Sequence, residues 1–205
     1  EYTYSIEMIL PNGKAIQGPD AHYDGQNFAK AFHIKFLDEN EKEQYVHQNT
    51  WAITTRMIGI LIAIHGDNKG LVLPPRIAEH KIVIIPILFK KGAKKIVKKA
   101  KEIEKKLKKL NPIIDLREEY SPGWKFNEYE LKGIPLRIEI GPKDLEKKQI
   151  TLCRRDTGEK KIVKESHIQE IEKILEKMQK DLYEKAKKHA IMNIEEGRTI
   201  EEVKK

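Results

Sequence analysis

The sequence predicts an α/β (α+β) protein: an antiparallel sheet with a buried helix, followed by a smaller α/β domain built on a mixed sheet. Three features support this. Tyr2, Tyr4, Ile6, Met8 and Leu10 alternate with other residues, the period of a half-buried strand, and then meet a turn. Residues 81–88 form an almost continuous apolar run, as in a strand covered on both faces. Beyond it, two stretches with helical apolar spacing are interleaved with short strand-like runs.

In the first part, Pro11-Asn12-Gly13 signals a hairpin, because Asn and Gly tolerate the positive φ of tight turns. Residues 14–18 are expected as the return strand, and residues 32–37 and 44–49 as two more strands around the charged turn Asp38-Glu39-Asn40-Glu41. Ile53, Met57, Ile60, Leu61 and Ile64 then recur at helical spacing and predict a buried helix. Thr50 is its expected N-cap and Gly66 its stop, while Gly59 would permit close packing on the sheet. A polar loop over residues 66–70 and the breaker Pro74-Pro75 place a domain boundary near residue 80.

The second part opens with the apolar strand at residues 81–88. A helix over residues 93–110 puts Ile96, Ala100, Ile103, Leu107 and Leu110 on one stripe and lysines over the rest. A short strand at residues 112–116 closes a strand–helix–strand unit, which implies a parallel pair. A short helix over residues 125–131 ends at Gly133, and Leu136, Ile138 and Ile140 alternate with Arg137 and Glu139. Residues 150–154 and 160–164 flank the hairpin signal Asp156-Thr157-Gly158. Last comes a long helix with a capping-box pattern at Ser166 and Gln169 and a stripe of Ile168, Ile171, Leu175, Met178 and Leu182.

Composition narrows the class. The 205 residues suffice for two modest domains, each with a real core. No apolar run reaches the ~18 residues of a membrane span, and the N-terminus has neither the basic start nor the apolar core of a signal peptide. It starts without Met inside a strand-like pattern, so a fragment is expected. One cysteine, Cys153, rules out an internal disulfide framework and any Cys-based zinc site; a cytoplasmic address fits. The formal charge of +8 favours a polyanionic partner. Abundant Lys, Glu and Ile equally suits a heat-adapted protein whose charges are merely solvated.

There is no Walker-type phosphate loop, no HExxH and no histidine pair at metal-ligand spacing. Two clusters stand out. Gln17-Gly18-Pro19-Asp20-Ala21-His22 packs polar side chains where a strand is expected to end, as a site or as a structural turn. Thr54-Thr55-Arg56 opens an apolar helix, so Arg56 either snorkels to solvent or meets an anion at the helix N-terminus. The residues alone leave both choices open.

Longer runs carry a family resemblance. GQNFAKAF at residues 25–32, WAITTRMIG at 51–59, HGDNKGLVLPPR at 65–76, PGWKFNE at 122–128, LKGIPLRIEIGPKD at 131–144 and RRDTG at 154–158 closely resemble class II prolyl-tRNA synthetases of the archaeal/eukaryotic type. The resemblance implies residues 1–80 as the C-terminal part of a class II catalytic domain. It implies residues 81–185 as an anticodon-binding domain and residues 186–205 as the start of a C-terminal extension. It also implies ATP-dependent activation of proline, with Mg2+, and transfer to tRNA(Pro), by an enzyme that is a homodimer when complete and touches no membrane.

By position in those motifs, Gln17 matches a glutamine that contacts ATP and magnesium. His22 matches a histidine beside the proline pocket, and Thr54 and Arg56 match an ATP-contacting pair in which Arg56 opposes triphosphate charge. Lys125, Glu128, Lys132, Arg137, Glu139 and Arg154 become the expected readers of guanine-containing anticodon bases, since Arg, Lys and Glu suit guanine edges. Asp20 stands where the family usually has an ATP-contacting threonine, and Ala52 where it has a glycine. The first two class II motifs are expected before residue 1 and a C-terminal, often zinc-binding, domain after residue 205, so the chain alone is expected to be inactive. A non-catalytic tRNA-binding module and a regulatory synthetase paralogue are the alternatives that Asp20 and Ala52 support.

Overall fold

The computed structural model describes residues 2–88 and 92–203; Glu1, where the strand-like opening begins, lies outside the described residues, as do residues 89–91 and 204–205. The chain divides into two compact units, Glu1–Ile64 with His189–Lys205, and His65–Lys188.

In the first unit the elements follow as β1 (Tyr2–Ile9), β2 (Ala15–Gly25), α1 (Asn27–Ala31), β3 (Lys35–Leu37), β4 (Glu43–Tyr45), β5 (Gln48–Ala52) and α2 (Arg56–His65). β1, β2 and β5 form an antiparallel sheet with β2 central, and β3 pairs with β4 as a separate hairpin. The hairpin at Pro11-Asn12-Gly13 forms as expected, with Gly13 at φ 78 and Leu10 N–H donating to Lys14 O at 2.9 Å.

Several expectations need correction. The return strand runs on to Gly25, so the cluster from Gln17 to His22 lies inside a strand and not at its end. The run at residues 32–37 begins as the close of α1 and becomes β3 only at Lys35, and residues 44–49 divide between β4 and β5. Thr50 sits in β5 and caps nothing; the helix starts at Arg56, where Thr54 Oγ1 accepts from the Arg56 N–H at 3.3 Å in a local turn. Of the five apolar residues expected to bury that helix only Ile60 is buried, and Ile53, outside the helix, is 74% exposed. Ile58 and Ile62 of this helix are exposed as well, so its apolar surface is covered only in part by the described residues.

The second unit contains β6 (Ile82–Pro86), α3 (Ala93–Lys106), β7 (Ile113–Ile114), α4 (Pro122–Leu131), β8 (Leu136–Ile140), α5 (Pro142–Glu146), β9 (Gln149–Arg154), β10 (Lys160–Lys164) and most of α6 (Glu170–Met192); a last short helix, α7, spans Ile200–Val203. The sheet order is β10-β9-β8-β6-β7. β6 is parallel to β7 and β8, while β9 is antiparallel to β8 and β10, which makes the sheet mixed as the sequence predicts.

The sheet's two faces explain its sequence pattern. On one, Ile82, Ile84, Leu136, Ile138, Ile150 and Leu152 meet Ile96, Ala100 and Ile103 of α3 and Ile171, Leu175 and Met178 of α6. On the other, Val83 and Ile85 pack with Tyr129 and Ile134 around α4. β6 is covered twice and therefore reads as an unbroken apolar run. β8 alternates because its second face carries Arg137 and Glu139. The expected capping box at Ser166 and Gln169 is replaced by a 3-10 turn over Glu165–His167, and α6 starts at Glu170.

The segment 65–80 packs within this unit. Leu71 N–H donates to Leu131 O at 3.0 Å and Leu73 N–H to Gly133 O at 3.3 Å. Gly133 has φ +73, and a Cβ there would lie 2.6 Å from Leu71 Cβ and 2.7 Å from Leu71 O. Gly133→Ala is expected to destabilise the unit by about 1–3 kcal/mol from backbone strain alone. In a urea titration its midpoint should fall with the slope unchanged; an unchanged midpoint would show that the segment yields freely.

Candidate functional site

In the first unit the polar cluster depends on a register shift. β1 pairs Ser5 with Asp20 and Glu7 with Gln17, so β2 has one residue more than β1 between these pairs. Such a bulge turns residues three apart onto the same side of a strand. Gly18 fills it because a Cβ there would stand 2.3 Å from Met8 Cε and 3.1 Å from Ile6 O. Gln17 Nε2 accordingly donates to Asp20 Oδ2 at 3.1 Å, and His22 Nε2 lies 3.4 Å from Asp20 Oδ1. His22 Nδ1 is 2.8 Å from Thr3 Oγ1. Arg56 opens α2, is exposed, and donates from Nη1 to Gln17 O at 3.4 Å. The structure thus brings Gln17, Asp20, His22 and Arg56 together, with Thr54 beside them. Asp20 Oδ1 is shielded from solvent and has no hydrogen-bond partner.

In the second unit the chemistry collects on the α4 side of the sheet. Ser121 caps α4 through Oγ, which accepts from Trp124 N–H at 3.2 Å, and Pro122 follows at the first helical position. Asp115, just past β7, is 3% exposed. Arg117 donates to both its carboxylate oxygens, at 3.1 and 2.7 Å, and to Glu128. Lys125, also 3% exposed, donates to the carbonyls of Asp115 and Arg117 and lies 3.4 Å from Asp115 Oδ1. Glu128 accepts a further bond from Lys132 at 2.7 Å. Burial alone would push the Asp115 carboxyl up, but hydrogen bonds from the Arg117 side chain and backbone and the Lys125 charge bring it from 3.8 to about 2.

Beside this network Tyr120 and Trp124 stack with centroids 3.9 Å apart, and the Arg117 guanidinium lies 4.8 and 5.4 Å from their rings. Both rings stay partly exposed. A cavity of about 440 Å³ opens there, lined by Pro86, Leu88, Ala93, Arg117, Tyr120 and Lys125 among others. An aromatic and guanidinium platform beside exposed charge suits unstacked nucleic-acid bases.

The six expected anticodon readers therefore divide. Lys132 is exposed at the edge of α4 and paired with Glu128, whose largely covered carboxylate is already shared between Lys132 and Arg117. Lys125, Arg137, Glu139 and Arg154 are buried, with their polar groups committed to internal partners. Arg137 donates to Glu130 and Glu139, each at 3.0 Å, and lies 4.2 Å from the Phe126 ring. Glu139 accepts from Lys160 at 3.0 Å; Arg154 holds Asp156 at 2.6 Å and Asp181 at 2.8 Å. Asp115, Arg117 and Tyr120 do not emerge from the sequence pattern, although a lone acid closing an apolar run is a signal that a buried charge needs a partner. Arg155 does not emerge either; it clamps Asp67 through two bonds at 2.7 and 2.6 Å and holds that carboxyl down at about 2. Among the described residues no group of three or more His, Cys, Asp or Glu could hold a metal ion, and no helix is long and apolar enough to cross a membrane.

Comparison with known proteins bears on this arrangement. Residues 81–178 match the family model described as anticodon binding domain. Beyond that domain, the chain is 49% identical over 203 residues to a proline–tRNA ligase of Lachnoclostridium phytofermentans, covering 98% of this chain and 42% of that protein. Similarity to the proline–tRNA ligase of Natranaerobius thermophilus is 43% identity with the same coverage, and to proline–tRNA ligase 2 of Bacillus thuringiensis 46% over 99% of this chain and 42% of that protein. The chain thus spans about two fifths of the length of these relatives, both units being included in the similarity.

The Asp115 network gives a pH signature. Its carboxyl is lowered on folding, so its stabilisation is complete above about pH 4 and fades as pH falls toward about 2. Arg117→Ala removes the bonds that hold it down, leaves burial to push it up, and is expected to move acid unfolding to higher pH. Circular dichroism across that range checks this, and an unshifted midpoint would mean that Lys125 alone suffices.

Proposed function

We propose that this chain belongs to a prolyl-tRNA synthetase of the archaeal/eukaryotic type and supplies part of its adenylation site together with its anticodon-binding domain. The observation that carries this reading is the match to an anticodon binding domain over the unit whose edge bears the Tyr120–Trp124–Arg117 platform. Similarity of both units to proline–tRNA ligases supports it. The substrates of the complete enzyme are ATP, proline and tRNA(Pro), with Mg2+.

In the first unit, Arg56 would place positive charge against phosphate oxygens, which stabilises charge as it develops during adenylate formation. Thr54 would reach the same nucleotide, and His22 would border the proline pocket. Magnesium fits here, since Asp20 Oδ1 is a shielded oxygen without a hydrogen-bond partner and hard cations take oxygen ligands. Gln17 and Asp20 would hold it, and the ion would supply neutralisation of phosphate charge.

In the second unit, Glu128 and Lys132 would read base edges while Trp124 stacks a base. Lys125, Arg137, Glu139 and Arg154 act from behind by fixing α4 and the sheet that carry these groups. Binding of the 205-residue chain to a tRNA(Pro) transcript, compared with one whose anticodon guanines are replaced, tests this. The cognate transcript is expected to bind at least tenfold tighter, and Glu128→Gln or Lys132→Ala to erode that preference by about 1–3 kcal/mol. Equal binding of both transcripts would defeat the reading.

One observation favours a second reading, a paralogue that binds tRNA without activating proline. Asp20 engages the Gln17 amide that ATP or magnesium would use. Asp20→Thr in the complete protein separates the two by calorimetric titration with ATP. A working adenylation site is expected to bind ATP as well or better after the change, with any gain shrinking at high magnesium as the carboxylate's repulsion is neutralised. Loss of ATP affinity at every magnesium level would make Asp20 itself a ligand, and no ATP binding by either protein would favour the paralogue.

A further inference from the structure

α3 carries far more charge of one sign than its role in the core requires. Its buried face is Ile96, Ala100 and Ile103. On the outside, Lys94, Lys98, Lys101 and Lys105 recur at steps of four, three and four, which at about 100° per residue keeps them on one ridge. All four are exposed. The ridge is about 16 Å long at roughly 1.5 Å per residue. Among the described residues none of the four has an ion-pair partner. Glu102, the acid closest to them on the helix, is drawn off by Lys99 at 3.0 Å, which also holds Glu165 at 3.0 Å.

A solvated, heat-adapted surface would mix its signs, and α6 shows that pattern. It has six lysines and five acids, with Lys177 paired to Asp181 at 3.1 Å. α3 has seven lysines and two acids. Like charges four apart also weaken a helix, so the ridge costs stability unless something neutralises it. The four lysines border a groove of about 490 Å³ together with Val97 and the carboxylates Glu102 and Glu118, and that groove shares Ala93 and Glu118 with the cavity beside the Tyr120–Trp124 platform. The groove along the basic ridge and the cavity beside the aromatic platform therefore adjoin at Ala93 and Glu118.

We infer that the Lys94–Lys98–Lys101–Lys105 ridge binds the sugar-phosphate backbone of the RNA whose unpaired bases meet the α4 edge. The inference rests on the anticodon-binding reading and adds to it a second, sequence-independent contact. An amphipathic base-reading edge and a bare row of ammonium groups do different work. Bases are distinguished by stacking and hydrogen bonds, whereas lysines on phosphate give affinity that is insensitive to sequence and falls steeply with salt.

The test uses the 205-residue chain with Lys94, Lys98, Lys101 and Lys105 all changed to Gln, which leaves the buried face of α3 intact. A control carries Lys173→Gln, Lys180→Gln, Lys187→Gln and Lys188→Gln, removing equal charge from α6. Dissociation constants for the tRNA(Pro) transcript and the anticodon-substituted transcript are measured across a salt series. The ridge variant is expected to bind both transcripts at least tenfold more weakly at low salt, in the same ratio to each other as before. Its slope of log K against log salt should be shallower by about 3, at roughly 0.7–0.9 for each phosphate no longer neutralised. The control should change the slope by less than about 1. A wild-type slope in the ridge variant overturns the inference, as does a control that loses as much, which would mean net charge alone is felt. Failure of the wild-type chain to discriminate between transcripts would defeat the anticodon reading while leaving the slope comparison to decide on the ridge.

Discussion

The second unit depends on how it accommodates one buried carboxylate. Asp115 follows a two-residue strand and sits almost entirely out of solvent. A lone ionised carboxyl there would cost several kcal/mol, so it is stable only with Lys125 and Arg117 brought to it. Lys125 lies on the inner side of α4, and Arg117 reaches on to Glu128 one turn further along that helix. Neutralising Asp115 therefore fixes the rotation and height of α4 on the sheet. It also sets where Trp124 and Lys132 face outward. Removing Lys125, the fully buried partner, is expected to cost about 3–5 kcal/mol because Asp115 is left buried with less compensation. The same ions that look like reading heads in a sequence can thus be the frame that aims the reading heads.

The first unit solves a related problem with backbone. Alternation in a strand sends neighbouring side chains to opposite faces, so Gln17 and Asp20 could not meet in a regular β2. One extra residue at Gly18-Pro19 reverses the parity and sets Gln17, Asp20 and His22 on one side. Glycine suits the bulge, since a Cβ would displace the tip of Met8 and press on the Ile6 carbonyl at 3.1 Å. The bulge carbonyl of Gln17 also receives Arg56, which ties the start of α2 to the cluster.

Much of this is legible in the sequence, and unevenly. Period and turn chemistry locate every long element of the second unit, because a sheet covered on both faces writes continuous apolar runs and its helices write stripes such as Ile171, Leu175, Met178 and Leu182. The first unit is less legible. The extension of β2 through His22 depends on a bulge and its pairing partners, which leave no local periodic trace, while α1 is five residues long and α2 starts at a polar turn after Thr54. The helix stripe from Ile53 to Ile64 predicts burial that only Ile60 reaches among the described residues. At the site, residue type suggests which side chains could meet RNA, but not which are already engaged. Arg137 and Lys132 look equivalent in sequence, yet one is enclosed by Glu130, Glu139 and Phe126 while the other stands in solvent. Arg155 with Asp67, 88 residues apart, is beyond any local signal.

This separation of buried from exposed charge bears on how the surface would work. Arg137 and Glu139 lie in a low-dielectric layer where their pairings resist salt, so the geometry of the α4 edge should hold at ionic strengths that abolish loose binding. The α3 ridge is the opposite case. Its ammonium groups are hydrated and unpaired among the described residues, so their attraction for phosphate is long-ranged, quick to form and easily screened. An RNA approaching this unit would feel the ridge before any base could stack on Trp124. Affinity at a distance and discrimination on contact then fall to different residues, joined by the shared wall at Ala93 and Glu118. Raising salt should then lower affinity for cognate and substituted loops by the same factor and leave their ratio unchanged, because the term being screened carries no sequence information.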